Sequence, residues 1–341
     1  MATRILCALS ISPTLGFGSA VVTDCFFAHE RAQKIGLWNL MITIGAPGGP
    51  FITGFIIQHL NPQWMFWVFA IINASQALAY VILGGETLQT PEGQLGEVDY
   101  GRYLAALCPR RIDSTPFRVK EFYHFLNLTT VWEVVIPTFS ITISFCYVVI
   151  ALDIEMPTSI GERFHLDAQQ TGLQFLGILI GAVLGELTSG PMSDMFQKRL
   201  SRNRGKRSED PTIVTHRLLF SYIGAVTTMV GLIVWGVSIA QASSQWTVKP
   251  LVGGGIAAFG NQIITTTLFT YAVDCHRERS QDIGIYINLF RQIYGFIAPF
   301  YLTSMFESLG FTGSGCLMAG LVGLSIVPIA ILHLGNSRKR K

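Results

Sequence analysis

The sequence predicts an all-α integral membrane protein with about nine transmembrane helices. Three observations carry that prediction. Half of the 341 residues are hydrophobic and only 13% are charged, whereas a soluble domain carries about a quarter charged residues. Nine stretches approach or exceed the roughly 20 apolar residues that a helix needs to cross a bilayer, and mean hydropathy over the chain is +0.45. The basic residues are also one-sided: 20 of the 24 fall in alternate loops and the tail, as cytoplasmic loops require.

The predicted spans are 5–24, 35–57, 64–84, 134–156, 172–192, 218–239, 250–273, 283–306 and 313–334. The first is short and carries Ser10, Ser12 and Pro13. A cleaved leader starting at Arg4 is the alternative, but no small-x-small cleavage site follows and Asp24 closes the span. Trp64, Trp67, Trp132 and Trp246 fall near predicted membrane edges, where an aromatic belt forms. The one long polar segment, 85–133, carries Pro91, Gly93, Pro109 and Pro116 with mixed charge and reads as a cytoplasmic linker. The chain then divides into an incomplete N-terminal half (1–84), that linker, a six-helix C-terminal half (134–334) and a basic cytoplasmic tail (335–341). Loops 25–34, 85–133, 193–217 and 274–282 hold most of the lysine and arginine, so the C-terminus is expected in the cytoplasm and the N-terminus outside. The dense group Lys198, Arg199, Arg202, Arg204, Lys206 and Arg207 suits anionic lipid headgroups better than nucleic acid.

Two segments nearly repeat each other. Asp24-Cys25 is followed by Glu30-Arg31-Ala32-Gln33-Lys34-Ile35-Gly36, and Asp274-Cys275 by Glu278-Arg279-Ser280-Gln281-Asp282-Ile283-Gly284. Six spans separate the copies. A membrane protein duplicated in this way has two similar halves, the mark of secondary transporters with a site between them. Six spans per half require twelve, so the nine spans are expected to correspond to helices 4–12 of a twelve-helix protein. Three spans before Met1 would also return the N-terminus to the cytoplasm.

The second span carries a glycine ladder: Gly36, Gly45, Gly49-Pro50 and Gly54, with Pro47 and Gly48. Small residues at this spacing let helix backbones approach closely, and Pro50 removes a hydrogen bond and bends the helix. The pattern Gly36-x8-Gly45-x3-Gly49-Pro50-x2-Thr53-Gly54 resembles the antiporter motif of helix 5 in drug:proton antiporters of the major facilitator superfamily, with Thr53 replacing a glycine. Gly190-Pro191-Met192-Ser193-Asp194, followed by Lys198-Arg199, resembles the second copy of that superfamily's Gly-x-x-x-Asp loop motif. Arg4-Ile5-Leu6-Cys7-Ala8 resembles its helix 4 Arg-x-x-Gln-Gly motif with the last two residues replaced. Glu86-Thr87 and Tyr271 to Asp274 resemble fungal members. The resemblance implies rocking of two halves about a midplane site, proton-driven efflux of a drug or secondary metabolite, and a cytoplasmic gate that would use Asp24, Arg31, Gly190, Asp194 and Asp274. It also implies a plasma-membrane, monomeric protein whose partners are a small-molecule substrate, protons and lipid.

Charged and strongly polar groups inside spans are costly and therefore candidates for function. Glu186 lies roughly 9 Å, and Arg291 roughly 12 Å, from the cytoplasmic ends of their helices at about 1.5 Å per residue. Similar depth and opposite charge predict that they pair or share a cavity, unless the pair only orients helices. Asn261, Gln262 and Gln292 complete the expected substrate pathway, with Thr265 and Thr266 beside them. Asp153 and Glu155 are expected at the outer mouth. The six cysteines are scattered without Cys-x-x-Cys spacing, so no disulfide framework, metal site or cofactor is indicated. No Ser-His-Asp set, metalloprotease motif or phosphate loop points to an enzyme or an ATP-driven pump. The competing expectations are a truncated, non-transporting fragment and an uptake symporter for polyamine-like solutes.

Overall fold

The computed structural model describes residues 2–26, 31–83, 124–161, 163–204, 216–242 and 246–338. Much of the linker (84–123), residues 205–215, the extreme tail and the side chains of Asp24, Arg31 and Asp194 lie outside the described residues. No strand occurs among the described residues. Helices α1 (Ala2–Cys25), α2 (Arg31–His59) and α3 (Gln63–Leu83) occupy the first three predicted spans. Helix α4 (132–161) contains two wide π turns, Cys146–Ile150 and Met156–Gly161. Helix α5 (168–204) bends at Phe175, and α6 (Leu218–Ala240) and α7 (Lys249–Cys275) follow.

The last two spans are contiguous over the 59 residues Ser280–Arg338. A straight helix of that length would reach about 90 Å, roughly three times the hydrocarbon thickness of a bilayer. Gly310 breaks it with φ 67° and ψ 174°, a conformation that a residue bearing a Cβ rarely adopts. The two limbs are α8 (280–309) and α9 (311–338). Among the described residues, helices therefore stand at all nine predicted spans. Five stretches are long and apolar enough to cross a membrane on length and composition alone: Gln33–His59, Trp132–Thr158, Ala168–Ser193, Leu218–Ala240 and Arg277–Leu334, the last holding both limbs.

Helix α7 is not one of those five, because its middle carries Asn261, Gln262 and Thr265 to Thr267. Protein replaces lipid around it: residues 260–274 are all buried. The burial depends on backbone contact. On α5, Gly177, Gly181 and Gly185 recur every four residues. A Cβ on Gly181 would overlap the Gly255 carbonyl of α7, and one on Gly177 or Gly185 would lie 2.6 or 2.7 Å from the carbonyl of Leu251 or Phe259. From the opposite side, a Cβ on Gly231 of α6 would overlap Ala257, and one on Gly224 would lie 2.9 Å from the Gly260 carbonyl. Helix α7 is thus clasped between α5 and α6, with α4 and α2 closing the remaining sides.

The outer elements pack by larger side chains. Trp235 of α6 sits edge-on to Phe306 and Phe311 at the break between α8 and α9, with ring centroids 5.9 and 6.4 Å away. Helix α1 rests on α2 and on the Ser280–Arg338 segment, whereas α3 packs on α2 and turns Phe66, Trp67 and Ile71 outward. Arg163, on the side expected to be extracellular, has a local role. Its guanidinium donates to the carbonyls of Ile239 and Ala242 at 3.1 and 2.9 Å, adding donors at the C-terminal end of α6.

Crowding at the α5–α7 crossing predicts a contrast between two glycines. Gly181→Ala should destabilise the protein by about 1–3 kcal/mol, as overpacking does. Gly45→Ala, where a Cβ meets nothing within 4 Å, should leave unfolding within about 0.5 kcal/mol of the parent. Thermal unfolding of the purified chain in detergent checks both.

Candidate functional site

The interior polar groups gather on α7 and its neighbours. Glu186, on α5, is buried, and its Oε2 accepts hydrogen bonds from Gln262 Nε2 at 2.9 Å and Thr266 Oγ1 at 2.7 Å. Residues 262 and 266 lie one turn apart on the same face of α7, so two donors converge on one oxygen. The other oxygen, Oε1, lies against α2: a Cβ on Gly36 would overlap it, and one on Gly190 would come within 2.9 Å. Gly36 is therefore the residue that lets the carboxylate sit between α2, α5 and α7. A buried carboxyl group, held by two donors of α7, thus lies against α2 where the N-terminal helices meet the C-terminal ones.

Asn261 points to a different neighbour. Its Oδ1 accepts from Ser144 Oγ of α4 at 2.8 Å, one residue on from the Gln262 contact and rotated about 100° around α7. Adjacent residues thereby tie α7 to α4 and to α5. The expected pairing of Glu186 with Arg291 is not made. Arg291, on α8, is buried with its guanidinium carbon 3.9 Å from the centroid of the Phe145 ring on α4. Similar depth does not make the two meet, because Arg291 is turned toward α4 while Glu186 is turned toward α7 and α2. Gln292 is exposed, one residue away from the buried Arg291, and does not join Glu186, Asn261 and Gln262.

The glycine ladder of α2 divides into contact and non-contact positions. Gly36 meets Glu186, and a Cβ on Gly54 would lie 2.6 Å from the Ala168 carbonyl and 3.1 Å from the Cα of Gly172 at the start of α5. Between them, Gly45 and Gly49 have nothing within 4 Å of an added Cβ. The close packing expected of the whole ladder thus holds at its two ends. Pro50, Thr53 and Gly54 line an open groove of about 460 Å³ together with Pro157, Gly172 and Phe175.

Asp274 and Gly190, expected at the cytoplasmic gate, are described; the side chains of Asp24, Arg31 and Asp194 are not. Arg217, just before α6, places its Nε 3.1 Å from Asp274 Oδ2, with both side chains fully buried. The same guanidinium donates to Ser193 Oγ at 2.9 Å. Ser193 belongs to the Gly190-to-Asp194 motif, so this motif is bound to the ends of α6 and α7. Gly190 itself faces the first turn of α2, where a Cβ would come within 3.0 Å of the Gln33 Cα.

Two functional candidates are added by the structure. Asn39 and Thr43 of α2 are completely buried, one turn apart and one turn beyond Gly36. A strongly polar residue inside an apolar span was the available signal, and Asn39 meets it. The second is the tyrosine group of α4 and α8. Tyr147 and Tyr294 hydroxyls lie 3.1 Å apart, and Tyr301 donates to Tyr147 at 3.5 Å. Among the described residues, no group of three His, Cys, Asp or Glu side chains is arranged to hold a metal ion.

A bundle of long apolar helices around a polar, hydrogen-bonded interior defines a multi-pass membrane protein. Residues 1–299 match the family model of the Major Facilitator Superfamily, and the chain belongs to that superfamily of transporters. Curated relatives agree. A probable efflux pump of Aspergillus flavus is 26% identical, covering 97% of this chain and 79% of its own length. An uncharacterized transporter of Schizosaccharomyces pombe is 23% identical over 99% of the chain and 69% of its own length. An efflux pump of Floropilus chiversii is 22% identical over 98% and 63% respectively. The chain thus spans between about two thirds and four fifths of these relatives. The membership points to a transporter rather than an enzyme, acting on small molecules in a membrane.

The buried ion pair yields a prediction. Asp274→Ala removes the carboxylate that faces the buried Arg217 guanidinium and should destabilise the fold by about 3–5 kcal/mol. Replacing Arg217 and Asp274 together by apolar residues should restore much of that loss, as coupled positions do. Chemical or thermal unfolding of the single and double variants in detergent measures the difference.

Proposed function

We propose that this chain is a proton-coupled exporter of small organic molecules, of the drug or secondary-metabolite type, working by alternating access. The observation that carries the reading is the Glu186 carboxylate, set between Gly36 of α2 and the Gln262–Thr266 donors of α7. An ionised carboxylate accepts from both donors, whereas a protonated one carries a donor of its own and changes that arrangement. Proton binding at this position would therefore alter the contact between the two sets of helices. The bare glycines Gly45 and Gly49 leave room for α2 to shift between its fixed ends. Asn261 and Gln262 supply the polar share of the substrate pathway. Operation as a monomer in the plasma membrane, with a cytoplasmic C-terminus and gate residues Asp24, Arg31, Asp194 and Asp274 below, belongs to the same proposal. The similarity to efflux pumps supports the direction of transport.

The experiment is reconstitution of the chain in proteoliposomes loaded with a fluorescent dye, with and without an imposed proton gradient. Dye should leave faster when protons can flow the other way. Glu186→Gln, which preserves shape but cannot change charge, should remove the acceleration by the gradient while the protein stays folded. Gradient-independent dye movement by the parent chain, or a fully coupled Glu186→Gln variant, contradicts the proposal. Accumulation of dye with the proton flow would favour symport instead.

A further inference from the structure

Arg291 is the one charged residue of the expected pathway whose contacts are with an aromatic ring. Its side chain is buried, and the guanidinium carbon stands 3.9 Å from the Phe145 ring centroid. Both terminal nitrogens, Nη1 and Nη2, are buried without a hydrogen-bond partner among the described residues. The ring satisfies one face of the planar cation. It leaves the edge, where the donors are, and a buried cation with open donors is costly unless an anion meets it.

The seam around Arg291 is lined by aromatic rings and hydroxyls of α4 and α8. Tyr294 is one turn along α8 from Arg291, and Tyr147 is two residues along α4 from Phe145, inside the π turn Cys146–Ile150. Such wide turns re-aim side chains and occur at functional positions. Here the turn brings the Tyr147 hydroxyl to 3.1 Å from that of Tyr294, with Tyr301 3.5 Å from Tyr147 and Cys146 Sγ 3.7 Å from Tyr301. Tyr294 and Tyr301 are half-buried. A guanidinium edge, flat rings and phenol hydroxyls thus share one side of α8. Glu186, the other buried charge of the pathway, is engaged by α7.

We infer that the α4–α8 seam is a binding subsite for a planar organic anion, an aromatic or conjugated carboxylate or enolate. Its charged oxygens take the two Nη donors of Arg291 in the bidentate manner that guanidinium favours. Its ring lies along Phe145, Tyr147 and Tyr294, and the tyrosine hydroxyls meet further oxygens. The subsite names the substrate class of the carrier proposed above and rests on that reading.

The test uses two dyes with the same xanthene skeleton and opposite charge, fluorescein and rhodamine 123. Binding to the full chain in detergent micelles is followed by fluorescence anisotropy at a pH where fluorescein is ionised. Fluorescein should bind about tenfold or more tightly than rhodamine 123. Arg291→Gln should weaken fluorescein roughly thirty-fold, the lower end of what removing one member of a buried charge pair does, and leave rhodamine 123 unchanged. Should Arg291→Gln not elute as folded protein, Arg291→Lys and Tyr294→Phe carry the test, each with a several-fold loss confined to fluorescein. Absence of a preference for the anion, including no binding of either dye, overturns the inference. So does an unchanged preference in a folded Arg291→Gln protein, which would assign Arg291 to a protein partner. Fluorescein that binds selectively but does not cross proteoliposome membranes would refute the carrier reading and leave the subsite standing.

Discussion

Backbone contact around α7 is the constraint on which the rest of this structure depends. A helix with Asn261, Gln262 and three successive threonines at its centre cannot face lipid without leaving polar groups unsatisfied. It is stable here because Gly177, Gly181 and Gly185 of α5, and Gly224 and Gly231 of α6, bring neighbouring backbones against it. Lipid is as apolar as leucine, so helices in a membrane gain little from hiding apolar side chains and gain much from close contact and hydrogen bonds. The same closeness sets the reach of the polar side chains. Ser144 contacts Asn261, and Glu186 contacts Gln262 and Thr266, because α4 and α5 are near enough for short side chains to meet.

This clasp gives Glu186 its position between the two sets of helices. Its donors belong to the C-terminal bundle, while the space for its second oxygen is made by Gly36 in the N-terminal set. At the expected cytoplasmic end the bundle is closed differently. Arg217, Asp274 and Ser193 tie the start of α6 and the end of α7 to α5 by a buried ion pair and a hydrogen bond. One junction therefore holds a bundle together, and the other lies where two bundles touch. Under the alternating access proposed above, motion of one set of helices against the other would spare the first and alter the second.

Much of this was legible in the residues before any fold was known. Hydropathy located the helices because each span must match the bilayer, and Gly310 separates the last two as their spacing required. The rule that polar groups inside spans are candidates for function singled out Glu186, Asn261, Gln262 and Arg291, all of them buried, and would also have singled out Asn39. Partners were less legible. Position along a helix fixes depth to within a turn, but each residue rotates the side chain by about 100°. Glu186 and Arg291 lie at similar depths and face different helices, and Gln292 is exposed beside a buried neighbour. The π turn of α4 shifts Tyr147 further from the azimuth that a regular helix would give it.

By itself the sequence determined the helical class, the number and order of the spans, their expected sidedness, and membership of a family whose motifs it carries at Gly36 to Gly54 and Gly190 to Asp194. Those properties follow from local composition and spacing, which any window of the chain displays. The tertiary structure alone decided that α7 is the buried centre, that Gly181 rather than Gly45 is pressed against a neighbour, and that Arg291 rests on Phe145 instead of meeting Glu186. Each of these depends on how a helix is rotated about its axis against several others at once. Rotation is set by the sum of contacts around the bundle, and no single segment contains it.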